Sequence, residues 1–386
     1  MYKQKGGYRP RRSNAPRVHK SFFDISKFIN KAVITEESPV FVPDHKFEDF
    51  DLLPLLKKNI EAKGYELPTP IQDRAIPHLL RGEDIVGIAN TGTGKTGAFL
   101  IPLINKVLLN PREKILIVAP VREIAHQIEE ELREFAKGSN LFSVLLIGGA
   151  SMGNQIRNLR YNHNFVIGTP GRIKDHVESG RLNLSGFKTV VLDEADRMLD
   201  MGFIADMRFI LGKMGGERHT LFFSATISKE IEKLINEFLN NPSIISVKTR
   251  DTSKNIDQDV VQIKGKTKLE VLKELLSQKE FSKTLVFSRT KHGADRLAKA
   301  LKLLGIKADA IHGNKNQNNR LRTLEDFKKE RLSVLVATDV AARGLDISDI
   351  SHVINYDLPA TYEDYVHRIG RTGRAEKKGK ALTFIE

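Results

Sequence analysis

From Asp84 onward the chain alternates between two hydrophobic patterns. Short β-branched or aliphatic runs give way to segments of helical periodicity and then return. A strand-length apolar run fits a strand buried on both faces, and regular alternation with helices builds a parallel α/β sheet. Strands are predicted at Asp84 to Ala89, Lys114 to Ala119, Ser143 to Ile147, Phe165 to Gly168, Thr189 to Leu192 and Thr220 to Phe223, with helices between them, for example Glu123 to Lys137. A polar stretch, Lys248 to Asp257, has neither period and reads as a linker. The alternation then restarts at Val260 to Ile263, Thr284 to Phe287, Ala308 to Ile311, Val334 to Ala337, His352 to Asn355 and Ala381 to Ile385. The pattern predicts two tandem parallel-sheet α/β domains of unequal size, over 41–247 and 258–386.

Upstream of these domains the pattern fails. Residues 1 to about 20 read as a disordered tail, and Ser21 to Ala32 as a short helix carrying Phe22, Ile25 and Ile29 on one face. Charge sharpens this reading. Lys3, Lys5, Arg9, Arg11, Arg12, Arg17 and Lys20 all precede the first acid, Asp24, and supply half of the net charge of +14. Such a start resembles an organellar transit peptide, but Gly6, Gly7, Pro10 and Pro16 interrupt any amphipathic helix there. A solvated arm for nucleic acid is the expected role. The chain has no Cys, which excludes a disulfide framework and a Cys-based zinc site and suits a reducing, cytoplasmic setting. No apolar run approaches the roughly 18 residues that a membrane span needs.

Candidate chemistry begins after the first strand. Ala89-Asn90-Thr91-Gly92-Thr93-Gly94-Lys95-Thr96 leads into an apolar helix over Gly97 to Leu109. In this strand–loop–helix setting the glycines let backbone N–H groups close around phosphates, Lys95 reaches the β and γ phosphates, and Thr96 holds magnesium. Ala89 stands where the strict phosphate-loop pattern has Gly, so the loop alone also reads as a Gly-rich turn without nucleotide. A second element favours nucleotide. Val190-Val191-Leu192 ends in Asp193-Glu194-Ala195-Asp196, which puts carboxylates at the edge of the sheet where α/β ligands bind. Asp193 can hold the magnesium and Glu194 can orient the attacking water, although acids at a helix start are also ordinary.

With these residues the chain resembles the DEAD-box RNA helicases of helicase superfamily 2, whose name Asp193 to Asp196 spell. The resemblance runs from about Phe47 to the C-terminus and implies two RecA-like domains that use ATP. In that family Ala at position 89 is expected. Phe47 and Gly64-Tyr65-Glu66-Leu67-Pro68-Thr69-Pro70-Ile71-Gln72 resemble its adenine-recognising segment, with Gln72 pairing the base and Tyr65 and Phe47 as the aromatics. Ser224-Ala225-Thr226, at the end of what reads as the last strand of domain one, resembles the motif that couples ATP state to domain closure. Tyr365 to Arg374 resembles the arginine-finger motif, so Arg371 and Arg374 complete the ATP site when the domains close, and Asp346 resembles the residue that touches the ribose.

The same resemblance assigns an RNA path along the strand-end loops. Domain one supplies Arg122, Gly149, Thr169, Gly171 and Arg172, and domain two supplies Gly313, Gln317, Arg320, Thr338 and Arg343. Val121 departs from the family's usual Thr and lacks its hydroxyl, so Arg122 is expected to touch RNA while a contact at position 121 is left open. Backbone contacts imply little sequence selectivity. Expected partners are single-stranded RNA and short duplexes, with ribosomal or RNA-turnover assemblies compatible. Besides a local unwinding enzyme, the motifs also fit an ATP-locked RNA clamp, and less well a DNA helicase or a generic ATPase.

Overall fold

The computed structural model describes residues 28–30, 41–90, 92–247, 256–342, 347, 349–373 and 379–385. Two parallel sheets form, each at the centre of a domain. The strands of the first are β1 (Ile85–Ile88), β2 (Ile115–Val118), β3 (Ser143–Leu146), β4 (Phe165–Gly168), β5 (Thr189–Leu192), β6 (His219–Ser224) and β7 (Ser243–Ser246). They lie in the order β3-β4-β2-β5-β6-β1-β7. The second sheet contains β8 (Ile256–Gln262), β9 (Thr284–Phe287), β10 (Ala308–Ile311), β11 (Val334–Ala337), β12 (His352–Asn355) and β13 (Gly379–Ile385), in the order β10-β11-β9-β12-β13-β8.

The central strands are buried on both faces, which is why they read as continuous apolar runs. Helices α1 (Pro54–Ala62), α2 (Pro70–Leu80), α3 (Lys95–Leu109), α4 (Arg122–Phe135), α5 (Met152–Leu159), α6 (Pro170–Glu178), α7 (Ala195–Asp200), α8 (Ile204–Gly212), α9 (Lys229–Phe238), α10 (Lys268–Leu276), α11 (Lys291–Leu303), α12 (Gln317–Lys328), α13 (Asp339–Ala342) and α14 (Tyr362–Ile369) accompany the strands. Apolar clusters cover both faces of each sheet. The crossover rule then brings the C-terminal ends of all parallel strands, and the loops that follow them, to one edge of each sheet.

Three expectations are corrected. β6 is not the last strand of domain one: β7 follows and pairs with β1, its Ser-Ile-Ile-Ser sequence being too short and polar to stand out. β8 begins at Ile256, inside the stretch read as linker, because Ile256 is fully buried and pairs with Gly379. The helix expected over Ser21 to Ala32 does not run through Ile29 and Asn30. Phe28 is buried, Ile29 is exposed and Asn30 forms an antiparallel bridge to Gln258, a period of two where the helical reading had placed Ile29 inside. Most of that segment and the basic arm lie outside the described residues.

Burial also creates an acid sensitivity. His352 on β12 is 5% exposed and stacks on Phe281 at 3.9 Å. Burial, assisted by Lys380, depresses its pKa to about 4, against about 6.5 in an unfolded chain. Between those values the unfolded chain binds a proton that the native state refuses, so stability present above about pH 6.5 is lost as pH falls and the loss is complete near 4, at up to about 3 kcal/mol. His352→Phe should therefore lose less stability than wild type between pH 7 and pH 4.5 in urea unfolding. Parallel losses in the two proteins would refute this.

Candidate active site and nucleic-acid interface

The phosphate loop is folded tightly against the start of α2 (Pro70–Leu80). Gly92 (φ 81°) and Gly94 (φ 93°) adopt left-handed backbone that other residues enter only with strain. A Cβ on Gly94 would stand 2.6 Å from the Thr69 hydroxyl and 2.7 Å from the Gln72 amide nitrogen. Thr93 Oγ1 donates to Asn90 O at 2.7 Å. Helix α3 (Lys95–Leu109) then starts without a side-chain cap, leaving its first amides for an anion. Lys95 is 6% exposed, and its Nζ has no hydrogen-bond partner. A buried ammonium without an acceptor is costly, and a phosphate in this loop would supply one.

The acidic strand end lies beside it. Asp193 and Glu194 are buried, and Glu194 takes a left-handed backbone (φ 51°) that is uncommon for non-glycine residues. Burial pushes the Asp193 carboxyl up, with Lys95 opposing and Glu194 adding to the rise. For Glu194 burial acts in the same direction, but the cations of Arg197, Lys95 and Arg371 prevail and hold it below the usual carboxylate range. Arg197 pairs with it at 3.1 Å. Asp196 turns to the end of β6, where its Oδ2 accepts from the amides of Ala225 (3.0 Å) and Thr226 (3.1 Å). The Ser224 to Thr226 segment is thus bonded directly to the acidic tetrad.

This donor set fits a hard divalent cation. Thr96 is half-buried at the start of α3, and the buried Asp193 carboxylate gains from a neighbouring positive charge. Among the described residues no group of three or more His, Cys, Asp or Glu could hold a metal on its own. The remaining ligands would come from phosphate and water, as magnesium usually arranges.

Phe47, Tyr65 and Gln72 converge on the first turn of α3. A Cβ on Gly97 would lie 2.7 Å from Gln72 Nε2 and 3.4 Å from the Tyr65 ring. Phe47 lies 6.0 Å from Tyr65, whose hydroxyl donates to Glu131 at 3.0 Å. The Gln72 amide, expected to pair with a base, is here engaged within the chain. Its Oε1 accepts from Thr69 N and its Nε2 donates to Gly94 O, both at 3.0 Å. Gln72 therefore links the cap of α2 to the phosphate loop, and each of its amide atoms retains capacity for one further bond. Thr91 and Asp346 lie outside the described residues.

The second domain reaches this site through Arg371. It follows α14 (Tyr362–Ile369), its Nε donates to His367 O at 3.3 Å, and its charge acts on Glu194. Arg374 lies outside the described residues. Arg368, in the same motif, is turned inward instead. It is 2% exposed, bidentate to Asp339 at 2.5 and 2.8 Å, and bonded to Asn355 and to the Asp357 carbonyl.

A second charged cluster also spans the domains. Arg122 opens α4 (Arg122–Phe135) and lies over the Gly148-Gly149 turn, where a Cβ on Gly149 (φ 78°) would clash with the guanidinium. Burial, then Arg320, and also Arg172, lower the Arg122 pKa against the opposing pull of Glu123. Arg320, on α12 (Gln317–Lys328), pairs with Glu123 at 2.8 Å, and both side chains are buried. This pairing was not legible in the sequence, which offers no signal for a contact between distant segments. Arg172 pairs loosely with Asp175 (3.4 Å) and leaves a terminal nitrogen without a partner, as does the buried amide of Gln317.

The other expected RNA residues lie in the strand-end loops. Thr169 precedes α6 (Pro170–Glu178), and Thr338 precedes α13 (Asp339–Ala342). A Cβ on Gly171 would meet nothing within 4 Å, and one on Gly313 only the Lys291 chain at 3.9 Å, so packing does not require glycine at either place. Val121 is buried in the core of domain one. Arg343 lies outside the described residues.

A phosphate loop and acidic strand end on one domain, with an arginine carried in by the other, define a nucleotide-dependent two-domain helicase core. Residues 69–234 match the DEAD/DEAH box helicase family and residues 267–376 the helicase conserved C-terminal domain. The ATP-dependent RNA helicase CshA of Listeria monocytogenes is 45% identical over 343 residues, which cover 88% of this chain and 66% of that protein. The chain therefore spans just under two thirds of that relative's length. A DEAD box protein from Methanococcus jannaschii is 41% identical over 89% of this chain and 94% of its own, with a TM-score of 0.52. S. cerevisiae Dbp5 bound to RNA and ADP BeF3 is 32% identical over 88% of this chain and 89% of its own, with a TM-score of 0.77. The chain belongs to the DEAD-box family of ATP-dependent RNA helicases, and its two domains are RecA-like.

Proposed function

We propose that this protein is an RNA-stimulated ATPase that grips an RNA backbone across both domains and couples ATP hydrolysis to local duplex opening or remodelling of RNA–protein complexes. The observation that carries this reading is that both charged clusters draw on both domains: buried Arg320 pairs with Glu123 at 2.8 Å beside Arg122, and the charge of Arg371 acts on Glu194 beside Lys95 and Asp193. ATP binding and RNA binding thereby share one closing movement, so each favours the other.

At the nucleotide, Gly92, Thr93, Gly94 and Thr91 form the phosphate cradle, and Lys95 supplies the buried cation. Phe47, Tyr65 and Gln72 hold the adenine and Asp346 the ribose. Thr96 and Asp193 would hold magnesium, which when bound would neutralise charge on the phosphates. Glu194, kept ionised by its cationic neighbours, orients the attacking water and accepts its proton. Arg371 and Arg374 stabilise the charge that develops on the transferred phosphoryl group. Along the RNA, Arg122, Arg172, Arg320 and Arg343 contact phosphates. Gly149, Thr169, Gly171, Gly313, Gln317 and Thr338 bring backbone or side-chain donors to the strand. Ribosomal or RNA-turnover assemblies in the cytoplasm are its proposed setting, a reading supported by the cysteine-free composition and the basic arm.

ATPase assays with RNA and with DNA of the same sequence test the assignment. Turnover should rise with RNA and stay near its basal rate with DNA, and equal stimulation by both would refute RNA as the substrate.

A further inference from the structure

Helix α14, which delivers Arg371, is held from two sides. On one side Arg368 is locked into domain two through Asp339, Asn355 and Asp357, with its guanidinium 4.9 Å from the Phe287 ring centroid. On the other side lies a small apolar cluster of Phe28, Ile256, Tyr365, Ile369 and Ala381. Phe28 does not belong to domain two in the chain, since it precedes domain one. It is nevertheless 1% exposed, with its ring edge-on to Tyr365 at 4.7 Å.

Two residues on, the backbone of Asn30 exchanges both hydrogen bonds with Gln258 (3.0 and 2.8 Å), on the outermost strand of the second sheet. The Gln258 side chain in turn accepts from the Tyr365 hydroxyl at 2.9 Å. Edge pairing and ring burial therefore converge on the same turn of α14. Tyr365 and Ile369 are one helical turn apart and face this cluster. Arg371 follows Ile369 by two residues, so any tilt of the helix end moves its guanidinium relative to Glu194.

From this we propose that Phe28, seated by the Asn30–Gln258 bridge, is a positioning residue for Arg371 and sets the pose of the arginine on closure. The inference rests on Arg371 acting in turnover, as proposed above. A misplacement of about 1 Å at a catalytic group can cost on the order of 10²-fold in rate.

The test uses the full chain and compares Phe28→Ala, Phe28→Leu and Arg371→Ala with a chain lacking residues 1–20. ATP turnover is measured at saturating RNA, and binding of a fluorescent ADP analogue reports on domain one. Phe28→Ala should lower kcat by roughly tenfold with the ADP analogue bound as in wild type. Phe28→Leu should recover most of the loss, and removal of residues 1–20 should leave kcat unchanged. In the Arg371→Ala background, Phe28→Ala should change nothing further, because its effect runs through that arginine. Wild-type kcat in Phe28→Ala, alongside a slow Arg371→Ala, overturns the positioning role alone. A loss that weakens the ADP analogue, or that leucine does not relieve, also overturns it, as damage to the fold. If Arg371→Ala itself turns over like wild type, the underlying reading of Arg371 falls instead.

Discussion

Lys95→Ala should abolish ATP hydrolysis, and Glu194→Gln should slow it by roughly 10²–10³-fold while leaving ATP and RNA bound. The two substitutions remove different things. Lys95 Nζ is buried beside two carboxylates and has no hydrogen-bond acceptor of its own, so phosphate is the partner that its position anticipates. Without it the loop retains backbone donors but loses the charge opposite the β and γ phosphates, and nucleotide affinity falls together with turnover. Glu194→Gln keeps size and shape. What it loses is the negative charge that Arg197, Lys95 and Arg371 stabilise, and with it the acceptor for a proton from water. Affinity for ATP and RNA therefore survives and the chemical step fails. Equilibrium binding of a fluorescent ATP analogue beside single-turnover hydrolysis separates the two outcomes. Near wild-type hydrolysis in either variant would overturn the assignment.

Much of this site was legible because its chemistry is local in sequence. A strand, a Gly-rich turn and a lysine at a helix start form one continuous segment, as do Val190 to Asp196. Buried strands such as β2 and β5 were equally plain, since a strand covered on both faces is apolar throughout. What escaped was set at long range. Arg320 reads in sequence as a cation for RNA, but in the structure its nearest counter-charge is Glu123 of the other domain. Gln72 reads as a free amide, yet the glycines of the phosphate loop come so close that the amide bonds the loop itself. Phe28 was hidden for a different reason. Around Phe22, Ile25 and Ile29 the helical spacing looked complete, whereas the burial of a neighbouring residue depends on an edge strand that lies more than two hundred positions away. Short apolar segments do not reveal their period until a partner selects it.

Arg371→Ala should lower RNA-stimulated turnover by roughly 10³-fold or more while nucleotide binding to domain one persists. The expectation follows from where its charge lies. Arg371 is anchored in the second domain by its own helix turn and its charge acts on Glu194 in the first, so it should complete the site only when the domains close. It should add little to ground-state binding, which on the proposed reading falls to the phosphate loop, Lys95 and the Phe47, Tyr65 and Gln72 corner. Arg371→Lys should rescue poorly, because an ammonium cannot replace the planar, multiply donating guanidinium at a phosphoryl group. Two measurements decide the matter in the full chain: affinity for an ADP analogue without RNA, and ATP turnover at saturating RNA. Unchanged affinity with collapsed turnover supports a charge supplied across the domain junction. If affinity and turnover fall together by the same factor, Arg371 holds the nucleotide in its ground state, and catalysis by closure must rest on another group.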